Sequence, residues 1–99
     1  MFSAFCFKMR YKRILVSGRV QGVGFREFLR REVAAIGGLV GYAKNLRNGN
    51  LEVVVSGDEE KINKLAEKCK KGPLLAAIKG VSVEDVELDD EFDSFIIRM

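Results

Sequence analysis

Tyr11-Lys12-Arg13-Ile14-Leu15-Val16-Ser17 leads into Gly18-Arg19-Val20-Gln21-Gly22-Val23-Gly24, and that into Phe25-Arg26-Glu27-Phe28-Leu29-Arg30-Arg31-Glu32-Val33-Ala34-Ala35-Ile36. The first run is rich in β-formers and stops at a glycine, the pattern of a strand. Three glycines in seven residues mark a loop. In the third run Phe25, Phe28, Leu29, Val33 and Ile36 recur at helical spacing, while Glu27, Arg30 and Arg31 fall off that face. Gly37-Gly38 ends this helix, because a left-handed C-terminal cap favours glycine.

The pattern then repeats. Leu39–Asn45 reads as a short strand. Arg47-Asn48-Gly49 carries the Asn-Gly turn signal, and Leu51–Ser56 is the returning strand of a hairpin. Ser56-Gly57-Asp58-Glu59 resembles a capping box. Ile62, Leu65, Ala66 and Cys69 mark a second amphipathic helix. Lys68, Lys70 and Lys71 suit its C-terminal dipole, and Gly72-Pro73 ends it. Ile78–Leu88 reads as a strand in which Val81, Val83 and Val86 alternate with polar residues. The alternation slips by one residue near Asp85, which predicts a bulge there. Phe92–Arg98 is a last short strand.

The order βαββαβ plus a short C-terminal strand predicts an α+β chain, a ferredoxin-like split βαβ sandwich. Two helices should cover one face of a mostly antiparallel sheet. Residues 10–99 form a single domain in this reading. Residues 1–9 are read as a loosely ordered N-terminal extension, or as residues upstream of a start at Met9.

Composition narrows the function. The chain has 99 residues, enough for one domain and one modest core. It has no histidine, which excludes Ser-His-Asp and Cys-His nucleophile pairs and histidine metal sites. Two cysteines, Cys6 and Cys69, make no disulfide framework and fit no zinc spacing. Cys69 is expected to be a packed thiol, and a Cys6–Cys69 bridge is the lesser alternative. The apolar stretch from Met1 to Phe7 is too short to span a membrane and lacks the basic flank of a signal peptide. The expected location is therefore cytoplasmic. Residues 1–50 hold ten Lys and Arg against two acids, whereas residues 51–99 hold seven against twelve. Such a division suits an anionic partner for the first half, unless folding interleaves the two halves. Lys8, Arg10, Lys12 and Arg13 would blunt an edge strand. Arg30 and Arg31 read as a solvated helix face.

The glycine loop carries the chemistry. Tight glycine turns let successive backbone amides point at one place, and with a helix N-terminus they make an anion site. Arg26, in the first helical turn, is placed to reach over it, and arginine suits bidentate phosphate contact. Two nucleotide patterns fail. No Lys-Ser or Lys-Thr follows Gly24, and Gly22-Val23-Gly24-Phe25-Arg26 runs on to Glu27 instead of glycine. Spacing alone leaves two readings open, a small phosphate site and a purely structural turn.

Val16-Ser17-Gly18-Arg19-Val20-Gln21-Gly22-Val23-Gly24-Phe25-Arg26 resembles the signature of acylphosphatases. Gly41-Tyr42-Ala43-Lys44-Asn45 with Asn48-Gly49-Asn50-Leu51-Glu52-Val53 resembles that family's second motif, and Gly72-Pro73 and Phe95-Ile96-Ile97-Arg98 resemble its tail. The resemblance implies hydrolysis of acyl phosphates to a carboxylate and orthophosphate. It implies that the backbone amides of Arg19, Val20, Gln21, Gly22, Val23 and Gly24, together with Arg26, hold the phosphate. Asn45 would position the attacking water. Neither metal nor cofactor is implied, and orthophosphate would be both product and competitive inhibitor. The interval from Arg26 to Asn45 is one residue longer than the family leads one to expect, with the extra residue at Gly37-Gly38. Leu46 stands where some members carry threonine.

The chemistry tolerates a chain without histidine. The leaving group is a carboxylate with a conjugate-acid pKa of about 4, so it departs unprotonated. The phosphoryl transition state is loose, so a strong base matters little. Two rival classes stand beside the enzyme: a non-catalytic phosphate sensor and an RNA-binding ferredoxin-like module. RNA-binding sheets of this kind use aromatics on central strands, and Leu51–Ser56 carries none. A monomer that binds neither nucleic acid nor membrane is the expectation.

Overall fold

The computed structural model describes residues 9–98. Residues 1–8, and with them most of the expected extension, Lys8 and the Cys6 end of the alternative bridge, lie outside the described residues. The elements are β1 (Met9–Arg19), α1 (Phe25–Ile36), β2 (Val40–Asn45), β3 (Leu51–Ser56), α2 (Glu59–Lys71), β4 (Ala77–Leu88) and β5 (Phe95–Arg98). Five strands form one sheet in the order β4-β1-β3-β2-β5. β1 is antiparallel to both β3 and β4, β2 is antiparallel to β3, and β2 and β5 are parallel. This is the split βαβ sandwich that the sequence predicts.

One face of the sheet is apolar because each strand alternates toward the helices. Ile14 and Val16 of β1, Ala43 of β2, and Leu51, Val53 and Val55 of β3 are buried in one cluster. Leu29 and Val33 of α1 and Ile62, Leu65, Ala66 and Cys69 of α2 close it from above. Burying each large side chain contributes about 1.5–3 kcal/mol. Burial pushes the Cys69 thiol up to about 12, so it stays protonated at neutral pH.

The second face is not bare. Tyr11 is buried there and its Oη donates to the Asp90 carbonyl at 3.2 Å. Phe92 meets the Tyr11 ring edge-on with centroids 6.0 Å apart and lies 5.6 Å from Tyr42. The Arg98 guanidinium stands 4.7 Å over the Tyr42 ring. The Tyr42 hydroxyl donates to Glu52 at 3.1 Å, and desolvation raises its pKa. Phe92 was expected to open the last strand. It lies instead in the β4–β5 connection, covering this face.

Several sequence expectations need correction. β1 lies between β3 and β4, so its basic residues blunt no edge. Lys12 pairs with Asp85, and Arg13 donates to Glu52 at 2.6 Å and to Glu84 at 2.8 Å. The Lys12 hydrogen bond and charge hold the Asp85 carboxyl below its usual range. The charge division thus partly cancels, because the sheet sets first-half cations beside second-half anions. The β1–β4 register runs unbroken through Asp85, and the bulge falls between Ser17 and Gly18 instead. Alternation slips at Val86 because that residue pairs with Tyr11 and shares its face of the sheet. No side chain caps α2 at Asp58, so the capping box does not form.

The pairing directions set the site. β1, β2 and β5 end, and β3 and β4 begin, at one end of the sheet. Three connections gather there: 20–24, 46–50 and 72–76.

Candidate active site

The glycine loop is shaped by positive φ at Gly18, Gly22 and Gly24 (120°, 74° and 80°). Gly18 has a second constraint, since a Cβ there would overlap the Ala77 carbonyl oxygen. At Gly22 and Gly24 a Cβ would meet nothing within 4 Å. Their backbone therefore borders open space. Gly24 is the N-cap of α1 in the left-handed conformation, and no side chain caps the helix. The first-turn amides have no intrahelical acceptor and carry the positive end of the helix dipole.

A cleft of about 350 Å³ opens at this helix end. Val20, Gly22, Gly24, Arg26 and Asn45 line it, so two separate motifs meet in one place. Asn45 is the last residue of β2, on the helix-covered face opposite Leu51. Its Oδ1 is buried and has no hydrogen-bond partner among the described residues. A buried acceptor left unpaired costs about 1–3 kcal/mol, which makes it a strong seat for a water proton. Between Arg26 and Asn45 the chain leaves α1 through Gly37 and Gly38, both at positive φ.

Other site residues fall differently. Arg19 is exposed at the end of β1, paired in register with Ala77. Val23 packs partly buried against the core. The Gln21 side chain ties the loop to the β2–β3 hairpin. Its Nε2 donates to the Leu46 carbonyl at 2.7 Å and the Asn50 carbonyl at 3.0 Å. That hairpin closes through Leu46 N–H to Asn50 at 2.8 Å and Gly49 N–H to Leu46 at 3.2 Å. Gln21 therefore fixes the glycine loop against the residue that follows Asn45. Nothing in the sequence named those acceptors, since they are backbone carbonyls.

Sequence reading also missed Arg30, Glu27 and Ile97, which line the same cleft. Arg30 lies one helical turn beyond Arg26 and pairs with Glu27 at 3.5 Å. Its four-residue spacing from Arg26 was the available signal. Among the described residues no group of three or more His, Cys, Asp or Glu stands ready to hold a metal ion.

Fold and cleft together define a split βαβ sandwich with a basic cleft at its loop end. The profile of the acylphosphatase family matches residues 12–97. An acylphosphatase of Caldivirga maquilingensis is 46% identical over 87% of this chain and 90% of that protein. The crystal structure of acylphosphatase from Bacillus subtilis superposes with a TM-score of 0.82 at 33% identity, over 92% of this chain and all of that one. An acylphosphatase structure from Coxiella burnetii gives 0.80 at 35% identity, covering 89% of this chain and 90% of its own. The chain belongs to the acylphosphatase family, a family of enzymes.

Proposed function

We propose that this chain hydrolyses the carboxyl–phosphate bond of acyl phosphates, releasing a carboxylate and orthophosphate without a metal ion. The observation that carries this reading is the meeting of Gly22, Gly24, Arg26 and Asn45 in one cleft at the N-terminus of α1. In the proposal the loop amides from Arg19 to Gly24 and the Arg26 guanidinium bind the phosphoryl oxygens. They are fixed before reaction, so charge developing there needs no reorganisation. The unpaired Asn45 Oδ1 accepts a hydrogen bond from one water and holds that water in line with the phosphorus. The carboxylate leaves unprotonated, and the water's proton passes to the phosphate. Arg30 adds positive potential at the mouth of the cleft.

A cytoplasmic monomer, folded as one unit from residue 10, belongs to the same proposal. Sparse cysteine use supports the location; separately, no helix among the described residues is long and apolar enough to cross a membrane.

The test is hydrolysis of benzoyl phosphate by the full chain. Turnover should be unchanged by EDTA and competitively inhibited by orthophosphate. Absence of turnover with phosphate binding retained would identify an anion sensor instead.

A further inference from the structure

Leu74 and Leu75 are the most exposed large apolar residues described, at 97% and 66%. They occupy the two central positions of a turn closed by Ala76 N–H to the Pro73 carbonyl at 3.0 Å. Such positions favour Gly, Asn, Asp and Ser, so two leucines are an unfavourable choice for the turn itself. The turn is firmly rooted. Ala76 packs on the core, and a Cβ on Gly72 would stand 3.1 Å from the Phe25 ring, at the first residue of α1. Ala77 pairs with Arg19, where the glycine loop begins. Folding therefore holds the leucines beside the loop and leaves their side chains in water.

Their side of the loop matters. The sheet order places β1 and its glycine loop between β4 and the β3–β2 hairpin. Asn45 stands on the β2 flank, and the Leu74–Leu75 turn on the β4 flank. In an in-line displacement the attacking and leaving oxygens lie on opposite sides of phosphorus. A water held at Asn45 therefore sends the acyl carboxylate toward β4. Resting on the proposed hydrolysis, we infer that Leu74 and Leu75 form the acyl-group subsite. The preferred substrates carry an apolar acyl group, aromatic or a several-carbon alkyl chain, instead of a small one. Covering the leucines with that group removes apolar surface from water, which the free chain cannot do.

The experiment compares kcat/KM for benzoyl, hexanoyl and acetyl phosphate in the full chain and in Leu74→Ser/Leu75→Ser. Both positions are exposed, and a thermal melt checks that the fold survives. The double variant should lose about ten-fold on benzoyl and hexanoyl phosphate, the scale of an apolar contact in a specificity site. Acetyl phosphate should change by less than about two-fold, and Leu74→Met/Leu75→Met should keep the wild-type ratio. Equal losses on all three substrates, or none, would overturn the subsite while leaving hydrolysis standing. A concentration-dependent dimer abolished by the Ser variant, with unchanged substrate ratios, would assign the leucines to self-association and also overturn it. A wild-type chain that hydrolyses none of the three contradicts the proposed function itself.

Discussion

Arg26→Ala should lose about 10³-fold in kcat/KM for benzoyl phosphate, the effect of removing a charged donor from phosphoryl oxygens. That corresponds to about 4 kcal/mol of transition-state stabilisation. Orthophosphate affinity should fall with it, because the same guanidinium holds product and transition state. Arg26→Lys should recover only part of the loss, since an ammonium keeps the charge but not the planar two-donor fork. Steady-state kinetics with phosphate inhibition reads both effects. Wild-type turnover in Arg26→Ala would remove Arg26 from the chemistry. The neighbouring Arg30 makes this a demanding comparison, because it leaves one cation in the cleft.

The largest effect on stability should come from Gly41→Ala. Gly41 sits in β2 at φ 142°, and a Cβ there would overlap the Val54 carbonyl oxygen. Both groups belong to the sheet backbone, so neither can move aside as a side chain would. Gly41 is also tied by its N–H to the Ser94 carbonyl at 3.0 Å. Relief would require breaking the β2–β3 pairing that carries Asn45. We expect a loss of at least about 3 kcal/mol, against a total of about 5–15 for a domain of this kind. That lowers the melting temperature by more than about 12 °C. Gly22→Ala is the contrast. It meets no atom within 4 Å and bears only the positive-φ penalty, about 1 kcal/mol. Equal melting temperatures for the two variants would contradict the overlap argument.

The parts of this molecule differed in how plainly the sequence announced them. Both helices and the hairpin were legible because apolar spacing and glycine stops are local signals. Arg26 stood out by its place in the first helical turn after the glycine loop, but Asn45 was legible only through motif resemblance, since asparagine is not distinctive alone. What stayed hidden depends on long-range pairing. The central place of β1 is a property of its neighbours, so its cations read as edge guards although they pair with Asp85, Glu52 and Glu84. The slip at Val86 read as a bulge because alternation cannot show that a second small apolar cluster, around Tyr11 and Phe92, exists on the other face. Gln21 read as one more loop amide, because its backbone acceptors at Leu46 and Asn50 lie 25 and 29 residues away.

The central claim is a division of labour: the loop and Arg26 bind phosphate, and Asn45 acts only on the water. Orthophosphate inhibition measured beside turnover in Asn45→Ala tests it most directly. The orthophosphate inhibition constant should stay within about two-fold of wild type while kcat falls by about 10²–10³, the loss of one positioned group. Equal loss of phosphate affinity and turnover would place Asn45 among the phosphate ligands and contradict the division. Full turnover would leave the water without its anchor and contradict it as well.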